Sequence, residues 1–148
     1  MTSARVERVS VERGTSLDDY ATAAHLMGSV TELRREAMIC KKALRGRKVV
    51  MLNSTAHGGG VAEMLPKLVS LLSELDVTTE WWVLKPEEEA FFPLTKRIHN
   101  LLHGSGDPSF SSEDRAMFER VSEDGAKALR HHIGPDDVVV VHDPQPVG

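Results

Sequence analysis

Residues 48–60 read KVVMLNSTAHGGG, and this stretch decides the fold. Val49, Val50, Met51 and Leu52 form an unbroken apolar run, the pattern of a parallel strand buried on both faces rather than one that alternates. The run ends in polar Asn53, Ser54 and Thr55, then in Gly58, Gly59 and Gly60. Beyond the glycines, Val61, Met64, Leu65, Leu68, Leu72 and Leu75 recur at helical spacing on one face. Pro66 lies early in that helix, where a missing N–H does least harm, and Asp76 ends it. Strand, glycine loop and helix in this order place unpaired first-turn N–H groups and the positive end of a helix dipole where a chain carbonyl cannot reach them, which favours an anion. The other reading of the same glycines is a tight turn with close strand–helix packing.

Upstream, residues 5–12 alternate Val6, Val9 and Val11 with Arg, Glu and Ser, as in an edge or half-exposed strand. Ser16 followed by Asp18 and Asp19 reads as a helix cap with an acidic first turn. Leu26, Val30, Leu33, Ala37 and Leu44 keep roughly helical spacing behind it, with Gly28 and Gly46 as breaks. Downstream, TTEWWVL at residues 78–84 is rich in strand formers. Phe91, Phe92, Leu94, Ile98, Leu101 and Leu102 predict a helix, and residues 104–112 a loop. Ser112, with Glu113 and Asp114, is expected to cap a further helix running to about His132. Gly134, Pro135 and Asp136 make a turn, and DVVVV at residues 137–141 is expected to be another buried strand, opening onto HDPQP.

Alternating strands and helices specify an α/β fold with a doubly wound, parallel, Rossmann-like sheet. Ligands of such sheets sit beyond the carboxyl ends of the strands. NSTAHGGG and HDPQP both fall at such ends and are expected to meet at one crevice. The 148 residues make one domain, which stops seven residues after its last strand, at its own expected site, and so reads as part of a longer protein.

Composition excludes several classes. The net charge of −4 divides into +4 over residues 1–50 and −8 over residues 51–148. The basic cluster of Arg34, Arg35, Lys41, Lys42, Arg45, Arg47 and Lys48 lacks interleaved aromatics for base stacking, so a solvated helix face is expected rather than a nucleic-acid surface. No stretch reaches the roughly 20 apolar residues of a membrane span, and the charged N-terminus has no signal-peptide core. The single cysteine, Cys40, allows no internal disulfide and no multi-cysteine zinc site. A cytoplasmic protein fits these features. Gly60 is followed by Val61 and Ala62, not by the Lys and Ser/Thr of a P-loop. Glu63 stands where a dinucleotide fingerprint needs its third glycine, and Glu80 opens a strand instead of closing one. His99 and His103 are an isolated i, i+4 pair, too little for a metal site. No nucleophile elbow is present. No cofactor and no metal are expected.

LNSTAHGGGVAEMLPKLVSLLSEL, EWWVL, FFPLTKRIHNLLHG and VVVVHDPQP, with TSLDDY and LRGRKVVMLNST before them, resemble consecutive segments of the trehalose-forming synthases, retaining glycosyltransferases of the GT-B fold (glycosyltransferase family 4). The resemblance covers about residues 5–146. It implies an N-terminal, acceptor-side domain facing a nucleotide-sugar domain that this chain lacks, and hence no catalysis by the chain alone. It implies transfer of glucose, with retention, from a nucleotide diphosphate glucose to free glucose. Gly58, Gly59, Gly60 and Val61 match the family loop that meets the donor phosphates. His142 matches a histidine beside the reacting sugar, and Asp143 joins it in orienting sugar hydroxyls. Lys96, His99, Asn100 and Gln145 are acceptor-side candidates. The acidic residues 87–90 and the loop at residues 104–112 depart from the family pattern near the acceptor pocket. A homodimer is compatible with this reading. A sugar- or phosphate-binding module without turnover, and a fragment of a trehalose phosphorylase using the same loop for inorganic phosphate, remain as alternatives.

Overall fold

A computed structural model describes residues 6–12, 14 and 16–148. The elements in order are β1 (Val6–Val9), α1 (Leu17–Ala21), α2 (Met27–Leu44), β2 (Val49–Asn53), α3 (Gly60–Glu74), β3 (Thr79–Leu84), α4 (Phe91–Leu102), α5 (Ser112–Leu129) and β4 (Val138–Val141), closed by a 3-10 turn, Gln145–Val147. The sheet order is β1-β3-β2-β4. β2 runs parallel to β3 and to β4, whereas β1 is an antiparallel edge strand, with Val6 opposite Leu84 and Val9 opposite Trp81. Arg5, the first residue of the expected strand 5–12, lies outside the described residues.

Adjacent residues on the central strands face opposite layers, which is why the sequence shows no alternation there. Val50, Leu52, Trp82 and Leu84 face α4 and α5, packing with Phe91, Val121 and Leu129. Val49, Met51, Trp81 and Val83 face α3, packing with Leu65 and Val69. The sheet is therefore covered on both faces, the doubly wound arrangement that the apolar runs predict. α5 comes close to β3 at Gly125, where a Cβ falls 3.0 Å from Leu84 Cδ2. Glu74 ties α1 and α2 to α3: its carboxylate accepts from the Leu17 N–H at 2.8 Å and from Arg34 at 2.9 Å. α3 ends in a Schellman turn, with Val77 N–H bonded to Leu72 O, Asp76 N–H to Ser73 O, and Asp76 left-handed at φ 59°.

Four expectations are corrected. The helical stretch before β2 breaks at residues 22–26, not at Gly28, which lies inside α2; the second expected break is real, with Arg45 and Gly46 both at positive φ. Pro66 is the seventh residue of α3, past its first turn, and the helix continues through it. The cap of α5 is Ser111, not Ser112: the Ser111 hydroxyl accepts from Asp114 N–H at 3.1 Å and the Asp114 carboxylate accepts from Ser111 N–H at 3.1 Å, a reciprocal capping box. β4 is an edge strand, partly buried on one face and exposed on the other. Val138 and Val140 pack under α3, while Val139 and Val141 are about two-fifths exposed.

At the amino edge of the sheet, Asp137 joins the turn before β4 to the start of β2, accepting from Lys48 N–H at 2.9 Å and Gly134 N–H at 2.7 Å. Glu80 accepts there from Lys48 Nζ at 3.1 Å and from the Trp82 indole at 2.9 Å. Its carboxylate serves this network and not the carboxyl edge, where a ribose-binding acid belongs.

Candidate functional site

The carboxyl edge of the parallel strands carries the two polar motifs. β2 ends in Asn53, which is fully buried, and Ser54, which is nearly so. A buried amide needs partners for both of its ends, and Asn53 has them. Its Oδ1 accepts from the Trp81 indole N–H at 2.7 Å, and its Nδ2 donates to Thr55 O at 2.7 Å. Thr55 in turn brackets the loop: its hydroxyl donates to His57 O at 2.9 Å and accepts from His57 N–H at 3.1 Å.

The chain then passes through Gly58 at φ 75° and Gly59 at φ 87°, both left-handed positions that suit glycine. Gly59 is the N-cap of α3 and offers no side-chain cap. Residues 57–60 are exposed at its start. A Cβ built on Gly58, Gly59 or Gly60 meets no other group within 4 Å. Close strand–helix packing therefore does not account for these glycines. Positive φ accounts for the first two. Gly60 has neither constraint, and its small size instead leaves the start of α3 open to a close approach from outside.

Beside the loop lies a cleft of about 430 Å³ lined by Ser54, Thr55, Ala56 and His57 on one side and by Lys85, Pro86 and Phe92 on the other. Lys85 pairs with Glu7 across its rim at 2.9 Å. A larger cavity, about 610 Å³, opens between the end of α2 and the turn before β3, where Met38, Ile39, Leu44 and Val77 meet Arg35 and Lys42. It lies at the amino edge of β3 and contains none of the motif residues, so its size carries less weight than the chemistry at the carboxyl edge.

His142 follows β4 directly. Its N–H extends the ladder to Leu52 O at 2.8 Å, and its Nε2 lies 3.4 Å from Met51 Sδ. It continues the alternation of Val138 and Val140, and so shares the α3 side of the sheet with Met51. Asp143 is left-handed at φ 68°, a conformation non-glycine residues seldom adopt, and Asp more readily than most. It turns the chain at the strand end. Gln145 opens the final 3-10 turn with its Oε1 buried and, among the described residues, without a hydrogen-bond partner.

Lys96, His99 and Asn100 lie on α4, whose buried face is Phe91, Leu94 and Thr95. Lys96 and Asn100 are exposed, His99 is half-buried with its ring 4.6 Å from that of His103, and none of the three lines the loop cleft. Among the described residues no group of three His, Cys, Asp or Glu side chains is placed to hold a metal ion, and no helix is long and apolar enough to cross a membrane. Asn53 and Trp81 were not singled out by sequence reasoning. The one available signal was a polar residue closing an otherwise apolar strand.

Residues 51–148 match the family described as trehalose synthase, N-terminal domain. The chain belongs to that family. The match begins within β2 and takes in both the glycine loop and HDPQP. Among its curated relatives, a trehalose synthase of Rubrobacter xylanophilus is 42% identical over 115 residues, 78% of this chain and 27% of that protein. A trehalose synthase of Pyrococcus horikoshii is 39% identical over 132 residues, 88% of this chain and 29% of its own. A trehalose phosphorylase of Pleurotus pulmonarius is 34% identical over 108 residues, 68% of this chain and 14% of its own. The chain thus spans less than a third of the length of the curated relatives it matches.

Proposed function

We propose that this trehalose synthase N-terminal domain is the acceptor-side half of a retaining GT-B glycosyltransferase. In this reading a second, nucleotide-sugar-binding domain completes the enzyme, which makes trehalose in the cytoplasm from a nucleotide diphosphate glucose and glucose. The observation that carries the reading is the open loop at Gly58, Gly59 and Gly60, set at a helix N-terminus on the carboxyl edge of the parallel strands. The first-turn N–H groups of α3, including those of Gly60 and Val61, have no carbonyl one turn earlier to accept them. They suit the charge that grows on a departing phosphate as the sugar C1–O bond breaks. One preorganised donor of this kind is worth about 3 kcal/mol of barrier. Gly58 and Gly59 set the path of the loop.

His142 and Asp143, on the same edge, orient hydroxyls of the reacting sugars. We assign to the acceptor side Gln145, whose buried carbonyl oxygen has no hydrogen-bond partner among the described residues, and Lys96, His99 and Asn100 of α4. A homodimer is compatible with this assignment.

The trehalose phosphorylase relatives favour one second reading, in which inorganic phosphate occupies the same loop. A chimera decides between the two. This chain replaces the matching segment of the Rubrobacter xylanophilus relative, and trehalose is assayed by chromatography. Synthesis from nucleotide diphosphate glucose and glucose supports the first reading, and phosphate-dependent trehalose cleavage the second. A folded chimera with neither activity leaves a binding module. The 148-residue chain alone is expected to form no trehalose.

A further inference from the structure

Asn53 and Trp81 are 28 residues apart, and their contact joins the sheet interior to the exposed loop. The two contacts fix the orientation of the amide. An indole N–H can only donate, so the atom facing it is Oδ1, and the Thr55 carbonyl can only accept, so the atom facing it is Nδ2. From Thr55 the connection continues to both backbone groups of His57, the residue before Gly58. The result is a path from a buried tryptophan to the edge of the glycine loop, made of hydrogen bonds on either side of Thr55 and joined through that residue's own backbone and side chain.

The loop has little else to hold it at this end. Its glycines carry no side chains, their Cβ positions face open space, and residues 57–60 are exposed. α3 anchors the other end. A leucine at position 53 fills a similar volume in the core without any buried polar group, so burial alone does not call for asparagine there. We infer that Trp81 and Asn53 are positioning residues: they fix the Thr55–His57 turn, and through it the direction in which the N–H groups at the start of α3 face their ligand. The inference rests on the phosphate reading given above for what the loop holds, and extends it to what aims the loop.

The test uses the ¹⁵N-labelled 148-residue chain with Trp81→Phe, Asn53→Leu, the double variant and Thr55→Val, and inorganic phosphate as the probe. Trp81→Phe leaves the buried Asn53 oxygen without its donor and lowers Tm. The double variant removes that orphaned acceptor and recovers part of the loss. In all four variants, amide exchange at His57 is expected to rise roughly tenfold while core strand amides keep their rates, because the lost path is local. Phosphate-induced shifts at Gly58, Gly59 and Gly60 are expected to need roughly fivefold more phosphate than in the wild type, including in the double variant. A purely structural role predicts instead that loop exchange and phosphate response recover together with Tm. That result, or wild-type loop exchange in every variant, overturns the inference. Thr55→Val keeps the Asn53 bond to the Thr55 carbonyl and is the control for losing the Thr55–His57 bonds alone; Trp81→Phe by itself, the most conservative core change, carries the test if the Asn53 variants do not fold. A wild-type loop that ignores phosphate, while the variants still loosen His57, overturns the phosphate reading and leaves the positioning role standing.

Discussion

His142 Nε2 lies 3.4 Å from Met51 Sδ, across the β2–β4 pairing. The backbone explains the meeting. Met51 is opposite Val140 in register, and His142 stands two residues on, with its N–H bonded to Leu52 O at 2.8 Å. A thioether is a weak acceptor, so this contact holds the ring loosely and leaves the imidazole available to a ligand at the strand end.

His142→Ala removes the side chain but not the ladder bond, which is a backbone bond. In the chimera, kcat and kcat/KM are expected to fall together by about 100-fold, with a stability change within about 1 kcal/mol. Steady-state kinetics beside thermal melts check this. A variant that loses stability but keeps turnover makes His142 structural.

Gly60→Ala separates the two readings of the loop better than Gly59→Val, because Gly59 at φ 87° is strained by any side chain whereas Gly60 is not. A methyl at Gly60 meets open space and improves helix propensity. Stability is expected to hold or to rise by up to about 1 kcal/mol, while turnover of the chimera falls at least tenfold. Unchanged turnover would mean that nothing approaches the start of α3.

Ser111→Ala is expected to cost about 1 kcal/mol, since it removes the hydroxyl that caps α5 and leaves Asp114 N–H unpaired. Ser112→Ala, one residue on, is expected to change stability by less than about 0.5 kcal/mol. Urea unfolding of the two variants side by side checks the position of the cap. Equal losses would contradict it.

Asp137 links acid sensitivity to the fold. Its hydrogen bonds from Gly134 N–H and then Lys48 N–H hold its carboxyl below the ordinary value of 3.8, against the opposing effect of burial. The folded state thus binds this proton more weakly than the unfolded chain. The stabilisation is fully present above pH 3.8 and is lost as the pH falls through the lower folded-state value. Asp137→Asn is expected to lower Tm near neutral pH and to flatten its decline below about pH 4. A parallel decline in both proteins would remove Asp137 from the account.

The buried half of the fold was legible because VVML and WWVL are apolar on consecutive residues, as a strand covered on both faces requires. The orientation of β1 was not, since Val6 and Val9, three residues apart and on opposite faces of the sheet, read alike in either direction. Four valines look the same in a central or an edge strand, so the exposure of Val139 and Val141 depended on which neighbour β4 found. The break between α1 and α2 falls at residues with no glycine or proline to mark it, and Gly28, which drew attention, is tolerated inside a helix. At the site, the glycines and His142 were visible by type and position. Whether the glycines served packing or φ was not, because that depends on the empty space around them. The Asn53–Trp81 bond was invisible because it joins residues that only the β2–β3 register brings together.

On the proposed function, the carboxyl edge of the sheet, and not the larger cavity beside α2, faces the phosphates. Titration of the ¹⁵N-labelled chain with inorganic pyrophosphate, followed by amide shift mapping, tests it most directly. Saturable shifts are expected at Ser54, Thr55, His57, Gly59, Gly60, Val61 and His142, with Met38, Ile39, Val77 and Asp137 unmoved. Saturable shifts centred on Met38, Ile39 and Val77, or no response at the glycine loop, would contradict it.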